Sequence, residues 1–372
     1  MSFEVEQHWN ETFPCITKPE VVGYFSINGQ REYLPDLSQL KYFNAPRNSR
    51  GEGVELNLNH GIDKVIRKPE SASGEKINHL LHWIIYNSSQ IEAPPGYGRW
   101  LKPEFVCYRG LLSALWRTPF EESDGWIVCA VKFKGTIYLC GFDTEEMKQR
   151  KENATARDLM MSSWGFKFEQ YVLSDSPEKK PDVSEPVNES EEFCCMFSCE
   201  FGDNSMLYGA EMDGIETTEP LKEPVPWKNV NFIELKTNRI IETGRQDVFF
   251  RKKLLRWWCQ SFLVGIENIL CGFRTNNGKV IDLKRYKVVD LIKMAKNYWE
   301  PSPCMNFCDA FLSHIKTVVT EDYNKCIYKF TWRPGGKIEM NILNSEVASG
   351  LGAQYAFLPQ WFTERAAELQ RN

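Results

Sequence analysis

The sequence predicts a mixed α/β (α+β mixed) fold in which most strands pair as hairpins and helices lie outside them. Two observations carry this. Segments rich in alternating or β-type residues meet in pairs across short turn signals at Trp126 to Phe142, Phe193 to Glu216, Asn268 to Tyr286 and Cys326 to Ile342. Other stretches space their apolar residues helically, and Arg245 to Ile266 is the longest. No internal repeat is present.

The first hundred residues read as irregular, with a strand at Val21 to Ile27, a loop-rich stretch from Asn44 to Gly53 and an amphipathic helix from Lys76 to Tyr86. Ala93-Pro94-Pro95-Gly96-Tyr97-Gly98 is a turn cluster beyond that helix. Trp126 to Phe142 alternates and breaks at Lys134-Gly135, the pattern of a hairpin. A helix is expected from Asp143 to Ser163, because Thr144-Glu145-Glu146 has the capping and charge pattern of a helix start. Gly165 to Tyr171 alternates apolar and polar residues and reads as a strand. Residues 174–192 are dominated by Ser, Asp, Pro, Glu and Lys and read as a mobile acidic loop inserted in the domain.

Phe193 to Glu200 and Ser205 to Glu216 then form a strand pair around Phe201-Gly202-Asp203-Asn204, and Asn229 to Thr237 is the next strand. The helix Arg245 to Ile266 presents Phe249, Phe250, Leu254, Trp257, Trp258, Phe262 and Leu263 on a broad apolar face. Asn268 to Arg274 pairs with Ile281 to Tyr286 across Asn276-Asn277-Gly278. Helices at Val288 to Asn297 and Asn306 to Val319 follow, and Cys326 to Trp332 pairs with Lys337 to Ile342 across Pro334-Gly335-Gly336.

A hydrophobic fraction of 42% supplies an ordinary globular core, and 12 Trp, 14 Tyr and 23 Phe are enough to line a groove as well. The net charge of -5 argues against a protein that coats nucleic acid indiscriminately, yet leaves room for a local basic channel. Candidate contributors to such a channel are Arg109, Lys236, Arg251, Lys252, Lys253, Arg256, Lys284, Arg285 and Lys287. The N-terminal stretch lacks the apolar core of a signal peptide and no apolar run is long enough to span a bilayer, so an intracellular protein with no membrane contact is expected. The 12 cysteines then read as reduced, mostly core thiols, with no paired sets at zinc-ribbon spacing. His79 and His82, three apart on the first helix, read as half-buried packing.

Chemistry concentrates in two triplets, Glu211-Met212-Asp213 and Glu234-Leu235-Lys236. Residues two apart on a strand share a face, so two such strands can bring three carboxylates and one ammonium to a common spot. Glu234 and Lys236 intrude into a mostly apolar strand, a local conflict of the kind expected at a functional site. Clustered carboxylates call for a neutralising cation, and Mg²⁺ is commonly held by a few carboxylates together with substrate phosphates. Two such ions about 3.5 to 4 Å apart can clamp both sides of a phosphoryl displacement. The triplets therefore point to a metal-dependent phosphodiesterase.

The order of motifs extends this. Tyr108-Arg109-Gly110, Gly165-Phe166-Lys167-Phe168-Glu169, Glu211-Met212-Asp213-Gly214, Glu234-Leu235-Lys236-Thr237, Gln260-Ser261-Phe262-Leu263 and Gly272-Phe273-Arg274 occur in fixed sequence. From about residue 20 to near the C-terminus the chain resembles the DXO family of eukaryotic decapping exoribonucleases. The resemblance implies a single nuclease domain, 1–372, of two packed mixed β-sheets flanked by helices, with a core similar to the Asp...Glu-x-Lys nucleases. It further implies a pocket for the 5′ end of RNA, removal of incomplete or NAD caps, 5′-triphosphate pyrophosphohydrolase activity and 5′-to-3′ exonuclease activity. By the same resemblance Glu169, Glu211, Asp213, Glu234 and the Leu235 carbonyl would hold two Mg²⁺ or Mn²⁺ ions. Lys236 and Gln260 would contact the scissile phosphate, and Arg109 a backbone phosphate further along. A nuclear location, with the cytoplasm as a second site, a monomeric state and a nuclear 5′-to-3′ exoribonuclease partner are also implied.

Ordinary structural roles compete with these assignments. Arg109 alone could be an ion-pair partner, Gln260 could satisfy a buried backbone group, and an edge strand could turn Glu169 to solvent. At the level of function, the alternatives are a catalytically silent 5′-end-binding adaptor for the exoribonuclease and a DNA nuclease of restriction type. The intact acidic set favours an active enzyme over an adaptor.

Overall fold

The computed structural model describes residues 2–6, 13–44, 54–242, 244, 246–344 and 352–369. The loop read at Asn44 to Gly53 lies outside these residues except for Asn44. Among the described residues the strands form two mixed sheets. The ten-stranded sheet runs, edge to edge, Ser2–Phe3, Ile338–Asn344, Cys326–Trp332, Trp126–Phe133, Thr136–Phe142, Phe105–Tyr108, Asn204–Glu211, Glu192–Phe201, Glu20–Ile27 and Tyr33–Leu34. The seven-stranded sheet runs Leu56–Asn57, Lys279–Lys287, Asn268–Arg274, Asn231–Arg239, Gly214–Glu216, Tyr42–Phe43 and Leu173–Ser174. The expected hairpins at 126–142, 268–287 and 326–344 are present, and at Lys134-Gly135 both residues take positive φ, as a tight two-residue turn demands.

One large apolar cluster draws side chains from both sheets, including Phe197 and Tyr208 from the first and Ile269 and Phe273 from the second. Helices Arg109–Arg117, Leu255–Phe262 and Pro301–Val318 contribute Trp116, Trp258 and Phe311 to the same cluster. A second cluster packs helices Asn78–Tyr86 and Gln360–Leu369 on the larger sheet. His79 is buried with Nε2 3.0 Å from the Arg31 carbonyl, and His82 stacks on Trp361 at 4.1 Å, so both are packing residues as expected. Among the described residues no helix is long and apolar enough to cross a membrane.

Three expectations need correction. The strand read at Gly165 to Tyr171 is the last part of a helix, Ala156–Val172, and the helix read as Asp143 to Ser163 is two helices, Glu145–Glu152 and the start of this one. Thr155 and Asp158 form a capping box that starts the second helix afresh. Trp164, Phe168 and Val172 recur every four residues and pack as one stripe on Ile233, Leu235 and Leu270, which is helical spacing; the Phe166/Phe168 alternation was incidental. Next, the strand read through Glu216 breaks after Glu211: the chain leaves the larger sheet, crosses Met212 and Asp213, and enters the smaller one at Gly214. Finally, the helix read from Arg245 begins, among the described residues, at Gln246, passes through a π-helical stretch at Phe249–Leu254 and ends at Phe262.

The stretch 174–192, read from composition as a mobile loop, ends in strands at Ser174 and Glu192, and the residues between, 175–191, carry buried anchors. Val187 and Ser190 are buried, the Ile66 and Glu189 amides bond the Val187 and Ile66 carbonyls at 2.8 and 2.9 Å, and Lys167 and Gln170 donate to the Val183 and Glu185 carbonyls at 3.2 and 2.9 Å. The helix carrying Glu169 is thereby joined to this segment on one side and to the smaller sheet on the other. Gly272 makes the second junction possible, because a Cβ there would stand 2.7 Å from the Phe168 ring. Gly272→Ala should therefore lower stability by about 1–3 kcal/mol through overpacking. The measurement is a urea transition with a lower midpoint and unchanged slope, and Phe168→Leu in the same chain should recover part of the loss. An unmoved midpoint would show that the helix does not press on Gly272.

Candidate active site

The site lies where the two sheets and the Ala156–Val172 helix meet. On the strand Asn231–Arg239, Ile233 and Leu235 face the helix, while Phe232 joins the core between the sheets. Alternation puts Glu234 and Lys236 on the Phe232 face. The neighbouring strand Gly214–Glu216 stops opposite Ile233, so no strand partner reaches the Leu235 amide on that side. Asp213 takes its place: the Leu235 N–H donates to Asp213 Oδ2 at 2.6 Å. The break at Met212-Asp213 thus has a structural reason, since a carboxylate at the crossover continues the ladder where the backbone cannot.

Glu211 ends its strand in the larger sheet, paired across to Cys194. With Asp213 and Glu169 it lines one cleft of about 540 Å³, whose far wall is the 175–191 segment. Glu234 is 1% exposed beneath these groups. Lys236 Nζ donates to Glu234 Oε1, and Arg109 Nη1 stands 3.4 Å from Glu234 Oε2 and 3.5 Å from the Gln260 carbonyl. The four acids, with Lys236, Arg109 and Gln260, therefore form one neighbourhood, although the sequence separates them by up to 151 positions.

The charges do not balance within it. Burial together with the nearby carboxylates of Asp213 and Glu211 pushes Glu169 well above the usual carboxylate range. Glu211 is reached by solvent through the cleft yet ringed by protein, and this desolvation, with Glu192 and Asp213 close by, raises it to about 8. Burial and Glu234 raise Asp213 to about 6, against the pull of Lys236. Glu234 alone is lowered: burial opposes its ionisation, but Lys236 and Arg109 outweigh that. Lys236 is raised in turn, its own burial being overcome by Glu234 and Asp213.

Fully ionised, four carboxylates face two cations. The remaining excess and the all-oxygen donor set suit a hard divalent cation. Among the described residues no three acidic, His or Cys side chains already stand in a closed coordination cage. The oxygens of Glu234 are engaged by Lys236 and Arg109, and Asp213 by the Leu235 amide, so a cation would have to draw these groups from their present partners. Gln260 Oε1 is buried with no partner among the described residues, on a side chain that lines the same space as Arg109 and Glu211.

Each expected site residue is therefore in the cluster, with two changes of detail. Glu169 projects from a helix and is half-buried, and Arg109 holds Glu234 in this structure. Sequence reading missed Glu192, which adjoins Glu211 and is held by Arg31 at 2.8 Å and Lys68 at 2.6 Å, Arg31 also gripping Glu75 at 2.6 Å. The available signal was Glu192 at the head of an apolar strand, Glu192–Phe201, after the polar run.

Fold and site define a nuclease of the PD-(D/E)XK class. The chain belongs to the RAI1-like PD-(D/E)XK nuclease family, whose model matches residues 17–363. It is 34% identical over 358 residues to the mouse decapping and exoribonuclease protein, covering 95% of this chain and 86% of the relative, and equally so to the human one. The Drosophila melanogaster decapping and exoribonuclease protein Rai1 is 29% identical over 96% of this chain and 93% of its own. Among solved structures, Candida albicans Rai1 in complex with pU5-Mn²⁺ superposes with a TM-score of 0.84 over 99% of both chains at 22% identity, a likeness of fold.

The pKa pattern sets a pH dependence. Between its ordinary value and about 8, Glu211 holds a proton in the folded chain that the unfolded chain releases. Its contribution to stability is full at low pH and is lost as pH rises toward 8, and Asp213 acts in the same direction toward 6. The metal-free protein should thus show a Tm that falls over this range, more steeply than in Glu211→Gln. Mn²⁺ or Mg²⁺ should raise the Tm most at the alkaline end, because cation binding displaces those protons. A wild-type Tm that follows the Glu211→Gln curve with and without cation would refute the arrangement.

Proposed function

We propose that this chain hydrolyses bonds at the 5′ ends of RNA: it removes incomplete and NAD-type caps, releases pyrophosphate from 5′-triphosphate ends and degrades the remaining chain 5′ to 3′. The observation that carries this is the convergence of Glu169, Glu211 and Asp213 on one cleft, with the buried Glu234 and Lys236 within their electrostatic reach, in a chain of a nuclease family. All these reactions attack phosphorus near one terminus, so a single site serves them. The names of the mammalian relatives, which join decapping to exoribonuclease, support the same reading. Retention of all four acids supports an active enzyme over a silent adaptor. We extend the reading to a nuclear location and to Mg²⁺ as the working ion, with Mn²⁺ able to replace it.

In this reading Glu169, Glu211, Asp213, Glu234 and the Leu235 carbonyl would hold two divalent ions, which would supply a nucleophilic water at neutral pH and stabilise charge on the leaving oxygen. Lys236 is already charged and fixed by Glu234, so it presents a preorganised donor to a non-bridging phosphate oxygen. Gln260 donates through its amide nitrogen to the same phosphate, and Arg109, whose planar fork suits phosphate, contacts the substrate from beside Glu234.

Purified protein with Mg²⁺ or Mn²⁺ should release products from RNAs carrying triphosphate, unmethylated-cap and NAD-type 5′ ends, identified by mass. Glu234→Gln should abolish release, and Lys236→Ala should lower kcat roughly 10²–10³-fold with little change in RNA affinity. Absence of product from every 5′ end with wild type would sink the enzymatic reading in favour of the adaptor. Equal cleavage of matched DNA oligonucleotides would remove RNA from it.

A further inference from the structure

The cations around the acidic cluster are unevenly assigned. Lys236 and Arg109 hold Glu234, whereas Glu211, among the described residues, accepts no hydrogen bond and joins no ion pair. Cations are not lacking. Glu211 lines a space of about 320 Å³ together with Arg31, Lys68, Lys76 and Arg109. That space shares Lys76, Tyr108 and Gly110 with a groove of about 790 Å³ lined by five basic and three acidic side chains. A carboxylate with cations so near gains from a charge-assisted hydrogen bond, so its freedom needs a cause.

Glu192 supplies it. Cys194 lies directly opposite Glu211 in the strand register, so Glu192, two residues back, shares the face of Glu211 at a diagonal of about 7–8 Å. It lines both the acidic cleft and the 320 Å³ space. Its Oε1 accepts from Lys68 Nζ at 2.6 Å and from Arg31 Nη1 at 2.8 Å, the two cations of that space nearest to it. Arg31 is anchored further: Nε and Nη2 grip Glu75 at 3.0 and 2.6 Å, Nη1 donates to the Ser190 carbonyl at 2.7 Å, and the His79 ring holds the Arg31 carbonyl at 3.0 Å. Its backbone stands at φ 65°, a region that favours glycine, so the turn tolerates strain to carry this side chain. Lys68 has no such anchors. Its side chain is 41% exposed, and Glu192 is its one ion pair among the described residues.

We propose, on the basis of the divalent-ion reading above, that Glu192 is a positioning residue for the cation site: it sequesters Lys68 and completes the hold on Arg31, and so leaves the Glu211 carboxylate free for a divalent ion. Arg31, Lys68, Glu75 and Glu192 balance one another in charge, so this tetrad stands beside the four acids without cancelling the excess that attracts a cation. Remove the Glu192 charge, and Arg31 stays with Glu75 while Lys68 turns to Glu211 and competes with the ion for its oxygens.

The test is Mn²⁺ binding to the full chain without RNA, read from loss of the free-ion electron paramagnetic resonance signal. Anaerobic buffer at about pH 8.5 keeps Glu211 largely ionised in every variant. Glu192→Gln should weaken binding roughly tenfold, the lower end of what partners outside the ligand set contribute to metal affinity. Glu192→Asp, which keeps the charge within reach of the flexible lysine, should bind as wild type does. Adding Lys68→Met to Glu192→Gln should restore most of the loss, and Lys68→Met alone should change nothing. Unchanged binding in Glu192→Gln overturns the proposal. So does a loss that Lys68→Met fails to repair, because Glu192 would then be a ligand or a structural prop. Where the amide variant does not fold, read by metal-free Tm, Glu192→Ala takes its place in the same cycle. Wild type that binds no Mn²⁺ would refute the divalent-ion reading itself; wild type that binds, beside an indifferent Glu192→Gln, refutes only this inference.

Discussion

Everything at the centre of this molecule follows from the problem of keeping four carboxylates close together. Glu169, Glu211, Asp213 and Glu234 repel one another in a space where protein has replaced much of the water. Lys236 and Arg109 relieve Glu234 and keep it ionised, whereas the other three are driven toward protonation. Such a cluster is stable only if the scaffold holds it and something positive completes it. The cluster thus carries a charge imbalance that a hard divalent cation would relieve.

The scaffold achieves this by joining three elements that cannot move independently. The chain passes from one sheet to the other between Glu211 and Gly214, so Asp213 sits at the crossing and closes the ladder through the Leu235 amide. The Ala156–Val172 helix is seated on the smaller sheet by Trp164, Phe168 and Val172, with Gly272 allowing the ring of Phe168 close to the backbone. Glu169 follows Phe168, so the packing of an aromatic ring aims a carboxylate. The 175–191 segment, tied to the same helix through Lys167 and Gln170, walls the cleft that results.

Charge then gives the site a front and a back. An acidic cleft attracts cations and repels a polyanion, while a basic groove does the opposite; the cleft shares Glu211 with a smaller space beside Arg109, and that space shares Lys76, Tyr108 and Gly110 with the groove.

By itself the sequence determined the composition of the site and most of the sheet framework. The triplets Glu211-Met212-Asp213 and Glu234-Leu235-Lys236 and the motif order named Glu169, Glu211, Asp213 and Glu234, and the hairpins at 126–142 and 268–287 were legible because turn residues and alternation are local signals. Only the tertiary structure decided that Glu169 rides on a helix, that Asp213 belongs to a crossover, that Glu192 neighbours Glu211 and that Arg109 holds Glu234. Alternation over seven residues cannot separate a strand from a helix whose stripe recurs every four, and packing on Gly272 settles the matter. Pairings between residues 125 positions apart leave no local trace, because they arise from sheet order and burial, which no short window contains.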